Sequence, residues 1–518
     1  MRHLATLTIM ATCLVSTTAS AGNLREVGDD FDEFRESVIQ VNGYFRARGE
    51  ALYNLDLDRG LTPSGEALFQ VPIDDPSAQT LTWADMRLRT DVAAYSPFGD
   101  VAVKARIDAL DNVGFGSMPD GPPQTTASQT AGVFSVKRAW GEVLTPFGLL
   151  SVGRMGSDWG LGMLTNSGDC RQCNSGDAAD RVAFVTPVLG HIFALAYDIG
   201  FVGPTQARAN NRAIDFATSD DVRGTTFAVM RYNTEASRDR RGQAGKPTFN
   251  YGAFVSYRWQ DTDVPSSYTP TAQNVPVDAS QVVQRGSKAL ASDLWLRLDL
   301  PRARFEAELA VLWGTIEQGS LIPGVNLPQE LTSLQWGGAL ESHIQVVNAL
   351  TVGLDLGVAS GDSAPGFGAR PDPFGEAPEP GDLDGIQASL PGDTTVNNFR
   401  FHPDYRVDQI LFSEIVGTVT DVAYVRPHGE WTLAEFNKRE LRLSIAAIIS
   451  QAIEPTSTPG GEAFLGVELD PSLKWESPGF SLAFDYAVFF PGAGFDNVSE
   501  GLSAKAAQLG RVSVWMEF

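Results

Sequence analysis

Apolar and charged residues alternate with a period of two along most of this chain. In 84–94, Met86, Leu88, Val92 and Ala94 share one face, and Asp85, Arg87, Arg89 and Asp91 share the other. Val103, Ala105 and Ile107 oppose Lys104, Arg106 and Asp108 in the same way. Leu294, Leu296 and Leu298 oppose Asp293, Arg297 and Asp299, and Phe305, Ala307 and Leu309 oppose Arg304, Glu306 and Glu308. This period marks a strand with two unlike faces. A soluble sandwich sheet also alternates, but it rarely carries three or four charges in a row on the second face of strand after strand. A water-filled lumen tolerates that pattern.

Runs of this kind predict strands at 41–55, 81–95, 101–111, 133–145, 148–155, 180–186, 191–201, 225–233, 248–259, 289–299, 303–316, 331–346, 349–360, 416–426, 439–452, 463–475, 480–490 and 504–518. Their number is about 18, or 16–20 once boundary errors are allowed for. An even count suits an antiparallel barrel with both ends on one side. The connections alternate as well. After every second strand comes a short turn, such as Pro146-Phe147, Leu300-Pro301-Arg302, Val347-Asn348 or Glu476-Ser477-Pro478-Gly479, most of them bearing the Pro or Gly that tight turns require. Two connections on this side, 234–247 and 427–438, are longer. The other side carries 56–80, 112–132, 156–179, 202–224, 260–288, 317–330 and 361–415, long and polar. This asymmetry predicts an all-β fold, a transmembrane antiparallel β-barrel with short periplasmic turns and long outer loops, in one domain over 41–518.

The ends of the chain fit that reading. Met1-Arg2-His3 is a short basic start, Leu4 to Val15 is mostly apolar, and Ala19-Ser20-Ala21 is a small-residue cleavage site. Residues 1–21 are therefore expected to be a signal peptide cleaved near Ala21, with 22–40 a short periplasmic segment. That segment is too short for a plug domain, a periplasmic assembly repeat or a secreted passenger. No later window has the roughly 18 apolar residues of a membrane helix, and barrel strands need none, since only every second residue faces lipid. At the other end, Val512, Val514, Met516 and Phe518 share one face of a strand that stops on an aromatic. It resembles the terminal strand of Gram-negative outer-membrane barrels. The resemblance implies location in the outer membrane, contact with its lipid, and Phe518 as a signal read by the barrel assembly machinery.

Composition narrows the function. The chain has 39 basic and 63 acidic residues, a net charge of −24. Such a balance argues against nucleic-acid partners, which need clustered Lys and Arg for phosphate. On the inner faces, Arg46, Arg48, Arg87, Arg89, Lys104, Arg106, Arg138, Arg297, Arg304 and Arg442 stand with Asp85, Asp91, Asp108, Asp299, Glu306 and Glu308 as candidate pore-lining residues. They form a transverse field and a basic track for anionic or sugar-like solutes, or they pair across strands and hold the wall together. Both roles are compatible. The connection 361–404 is the longest and is acidic and rich in Pro and Gly. It is followed by 406–416, which reads as a short amphipathic helix or an unusual strand. That stretch either folds into the lumen and constricts it or caps a surface loop.

Other chemistry is sparse. Cys170 and Cys173 lie in the third outer loop, without a βαβ context. In an exported chain their spacing suggests a local disulfide rather than a redox or zinc site. The neighbouring aspartates match no EF-hand loop, and no metal or cofactor is expected. His191, His343, His402 and His428 are scattered in sequence, and no HExxH, GxSxG or phosphate loop is present, so no enzyme is expected. The tryptophans sit on strands or near their ends and read as interfacial girdles.

Two stretches resemble an uncharacterised family of predicted outer-membrane barrels of myxobacterial type. One is Thr145-Pro146-Phe147-Gly148-Leu149-Leu150-Ser151-Val152-Gly153-Arg154-Met155, continuing through Asp158 to Gly162. The other runs from Phe399-Arg400-Phe401-His402-Pro403-Asp404 to Pro427. In strand count and Arg-bearing wall the chain is also similar to the eighteen-stranded alginate-export porins, a likeness of architecture and charge. Taken together, the expectation is a porin-like channel for passive transport of small hydrophilic solutes, anionic ones or saccharides among them. The alternatives are a closed barrel acting as a surface binding or adhesion module through its long loops, and a barrel-embedded hydrolase.

Overall fold

A computed structural model describes residues 38–518 apart from 73–74, 76–77, 98, 117–133, 203–205, 208–212, 215–217, 265–281, 321–324, 328, 369–377, 386 and 389–391. The expected signal peptide, its cleavage site and nearly all of the 22–40 segment lie outside these residues. The eighteen long strands are β1 (Ile39–Tyr53), β2 (Thr80–Tyr95), β3 (Val101–Gly114), β4 (Phe134–Thr145), β5 (Gly148–Gly156), β6 (Ala178–Val188), β7 (His191–Gly200), β8 (Val222–Arg231) and β9 (Thr248–Gln260), followed by β10 (Ser287–Leu300), β11 (Ala303–Ile316), β12 (Leu331–Val347), β13 (Leu350–Ala359), β14 (Val422–Phe436), β15 (Arg439–Ala452), β16 (Phe464–Ser477), β17 (Phe480–Pro491) and β18 (Ala507–Glu517). Each pairs antiparallel with its neighbours in sequence, and β1 pairs with β18 as well as β2. The sheet is thus a closed ring without a free edge. A two-residue ribbon, Gln206–Ala207 with Ala213–Ile214, stands outside it.

The turns explain the alternation. Leu189-Gly190 and Asn437-Lys438 join their strands with positive φ at both residues, the geometry whose twist matches an antiparallel hairpin. The second of these corrects the sequence reading, in which 416–426 was the strand and 427–438 a long connection. The strand instead begins at Val422 and runs to Phe436. Pro427, which has no N–H to give, interrupts the pairing with β15 between Val425 and His428. The longer connection at 234–247 holds the helix α1 (Glu235–Gln243), its start capped by the Thr234 hydroxyl.

The two faces of the wall divide as the alternation predicts. Val103, Leu195, Leu309, Ile445 and Met516 point outward and are each about half exposed, whereas Arg46, Arg87, Asp85, Asp108 and Glu308 point inward and are buried. The tryptophans do not form girdles alone: Trp140, Trp159, Trp295 and Trp515 are buried inside the barrel. The interior is also not simply water. Phe399, Phe401, Tyr405, Ile410, Leu411, Phe412 and Ile415, all from the connection between β13 and β14, pack with Leu52, Leu465, Phe489 and Leu509 of the wall into one apolar core.

Candidate functional site

The sequence-predicted wall charges fall into two inner clusters. On β1–β4, Asp85 accepts from Arg48 at 2.5 Å and from Arg46 at 3.3 Å. Arg89 grips Asp108 with two hydrogen bonds of 2.9 and 2.8 Å, and Arg106 grips Asp91 at 2.6 and 2.8 Å. Lys104 pairs with Glu142 at 3.1 Å. A bulge in β3, with positive φ at Leu110 and Asn112, brings Asp111 to Arg87 at 2.7 Å and Asn112 to Arg46 at 2.5 Å. The second cluster is on β10–β12. There Arg297 meets Asp299 and Glu306, and Arg304 meets Glu306 and Glu341. Arg442 lies apart from both, with Glu440 and Glu476.

The first cluster has a second task. Residues 157–177, between β5 and β6, fold inward, and their backbone carbonyls face the arginines. Arg87 donates to the carbonyls of Cys173 (2.6 Å) and Asn174 (2.7 Å), Arg89 to Gly168 (2.6 Å) and Arg46 to Arg171 (3.2 Å). Arg138 reaches the Ser167 carbonyl, and both Arg106 and Arg138 meet Asp169. The planar guanidinium fork suits this, since one end can hold a carboxylate while the other donates to a carbonyl. Cys170 and Cys173 are joined by a disulfide at the tip of the same segment.

Where the first cluster offers donors, β11 and β16 offer acceptors. Glu308 Oε2 accepts from the backbone N–H of Leu161 at 2.5 Å. Glu468 accepts from Gln409, Ile410 and Leu411 at 2.9, 2.7 and 3.0 Å, holding the π-helical turn Leu411–Ile415 of the longest connection. The two inward segments also bind each other. Asp404 accepts from the backbone N–H groups of Asn174 and Ser175, both at 2.8 Å, and His402 N–H donates to the Met163 carbonyl at 2.7 Å. Burial works to raise the Asp404 carboxyl, but the hydrogen bonds from Ser175 and Asn174 outweigh it and hold it below the usual carboxylate range. Asp408 goes the other way, pushed well above that range by burial and then by the Glu468 carboxylate.

A cavity of about 340 Å³ remains beside the inner face of β12–β16, bordered by Arg406, Asp408, Arg426, His428 and Asp470.

Among known proteins, the chain matches no family model and no curated relative. Several solved structures are similar to it. The outer membrane protein OpdK from Pseudomonas aeruginosa is 10% identical, with 94% of this chain and 100% of that chain covered and a TM-score of 0.44. A BenF-like porin from Pseudomonas fluorescens Pf-5 is 10% identical over the same shares, with a TM-score of 0.45. OccK11 (OpdR) of Pseudomonas aeruginosa is 10% identical over 93% of this chain and 95% of that chain, at 0.46.

Sequence reasoning named most of the wall charges and missed what they hold. Glu468 and Asp404 carried no signal, because their partners are backbone N–H groups of distant segments. The histidines that look scattered are not all apart. His343 and His428 face each other with ring centroids 5.1 Å apart, and Asp355 Oδ1 lies 3.2 Å from His428 Nε2. Among the described residues, these three form the set of metal-ligand types within mutual reach. The sequence reading placed His428 in a connection and not on a strand, so its position two strands from His343 was hidden.

Proposed function

We propose that this chain is a porin-like channel of a Gram-negative outer membrane, passing small hydrophilic solutes passively and doing no chemistry. The observation that carries this reading is the two-faced closed wall. Outward side chains such as Val103 (59% exposed) and Leu195 (54%) belong to an apolar exterior that runs around the whole ring. An exposed apolar surface of that extent suits hydrocarbon rather than water, and a closed sheet satisfies its own backbone there. Export through the 1–21 signal and recognition of Phe518 by the assembly machinery belong to the same reading.

The two inward segments make the passage narrow. The arginines of β1–β4 are engaged by carboxylates and by loop carbonyls, so they do not offer a free basic track. A preference for anionic solutes or saccharides rests instead on Arg406 and Arg426, which border the remaining cavity and, although paired with Asp404 and Asp355, each keep an Nε–H without a hydrogen-bond partner. Single-channel recording of the refolded protein in planar bilayers, with a salt gradient, tests the reading. Small, stable steps with a defined reversal potential are expected.

The apolar core built inside the barrel favours a second reading, a closed barrel whose long connections act as a surface binding module. A folded but electrically silent protein would favour that reading and sink the channel.

A further inference from the structure

We infer that His343, Asp355 and His428 form a binding site for a divalent transition-metal ion of the zinc class on the inner wall of the barrel. The three side chains come from the neighbouring strands β12, β13 and β14, and each offers a ligand atom within 4.8 Å of the others. His428 Nε2 and Asp355 Oδ1 stand 3.2 Å apart. Two ligands at about 2.0–2.1 Å from one tetrahedral ion are separated by roughly that distance. His343 Nδ1 is buried and has no hydrogen-bond partner. Two imidazoles with one carboxylate select a borderline ion such as Zn²⁺, Ni²⁺ or Cu²⁺, whereas Mg²⁺ and Ca²⁺ take oxygen ligands.

The surroundings are arranged for such a site. Gly353, on the strand between the two histidines, leaves room for His428 to lie across the backbone. A Cβ at that position would come within 2.3 Å of His428 Nε2. Arg426 donates to Asp355 Oδ2 at 2.6 Å, which orients the carboxylate and leaves Oδ1 toward the histidines, as outer-shell partners do at metal sites. Arg304 Nη2 stands 3.5 Å from His343 Nε2, but its charge is shared with Glu306 and Glu341. Both histidines border the 340 Å³ cavity, which gives an ion a route in and room for water as a further ligand. A polar network that merely braced three strands would need neither the unpartnered nitrogen nor the adjoining space.

The test is a calorimetric titration of the refolded, tag-free protein with Zn²⁺, with Mg²⁺ and Ca²⁺ as controls and heat-modifiable migration as the check on folding. The expected result is one Zn²⁺ per chain, not displaced by Mg²⁺ or Ca²⁺. His343→Gln and His428→Gln should each weaken binding by more than about tenfold, since even outer-shell losses cost 10–100-fold. His191→Gln, at the turn between β6 and β7, should leave it unchanged. Cobalt substitution gives a second readout, a visible absorption band that disappears in His428→Gln. A folded wild-type protein without stoichiometric zinc binding overturns the inference, and that measurement needs no variant. Zinc binding retained in the double histidine variant overturns it equally.

Discussion

Glu468 Oε1 lies 2.7 Å from the backbone nitrogen of Ile410. One carboxylate projecting from β16 thereby fixes the turn that fills the middle of the barrel. Glu468→Ala would strand three buried N–H groups, each worth roughly 1–3 kcal/mol when left unsatisfied. We expect amide hydrogen exchange across 409–416 to accelerate and single-channel conductance to rise. Unchanged exchange in that segment would remove Glu468 from this role. Glu468→Gln, which keeps an acceptor oxygen, should have the smaller effect.

Arg87 on β2 is the corresponding anchor for the other inward segment. Its guanidinium serves Asp111 and the carbonyls of Cys173 and Asn174. Arg87→Ala should loosen residues 157–177 without opening the ring, because strand pairing does not involve this side chain. Faster proteolysis within 157–177, together with retained heat-modifiable migration, is the expected pair of results. Loss of both properties would show that the arginine supports the wall rather than the loop.

Stability should depend on pH through Asp421. Burial pushes its carboxyl up to about 7, against hydrogen bonds from Ser457 and Glu454 N–H. Between about pH 4 and 7 the folded chain then holds a proton that the unfolded chain has released. The contribution of this group to stability therefore falls as pH rises through that window and levels off above it, by roughly 4 kcal/mol in all. Urea midpoints in detergent at pH 4, 5.5 and 7.5 should show that slope, and Asp421→Asn should reduce it by this group's share, leaving the part due to Asp408 and other raised carboxyls. An identical slope in the variant would assign the effect to other carboxyls.

The disulfide spans three residues of sequence. A loop that short restrains little of the unfolded chain, about 2 kcal/mol in the chain-entropy model. Cys170→Ser with Cys173→Ser should therefore lower the midpoint slightly while leaving the barrel folded. A failure to fold would mean that the bond is needed to set the carbonyls to which Arg46 and Arg87 donate.

The barrel was legible in the chain because its determinants are local. Lys104, Arg106 and Asp108 alternate with Val103, Ala105 and Ile107, and no tertiary information is needed to place them on opposite faces. The end of β14 was less so. Asn437-Lys438 lacks the glycine that usually marks such a turn, and Pro427 reads as a breaker although the strand passes through it on its unpaired side. The contents of the lumen were hidden for another reason. Arg87 recognises carbonyls, and Glu468 recognises N–H groups, which every residue possesses. Phe399 and Phe412 sit in a connection rich in polar residues, so their burial depends on a wall assembled from strands far away in sequence. His343 and His428 likewise meet only because β12 to β14 run side by side.

The register that couples Tyr44 of β1 with Glu517 of β18 also orders events in time. This contact joins nearly the most distant positions of the chain, so its loop-closure entropy is the largest in the molecule, and high contact order makes it slow. If that seam closes last, the segments 157–177 and 399–421 are gathered inside a sheet that is still open along one side. Once β1 and β18 zip together, a hydrogen-bonded hoop surrounds them. Any later excursion of either segment is confined to the barrel axis, because leaving sideways would require the seam itself to part.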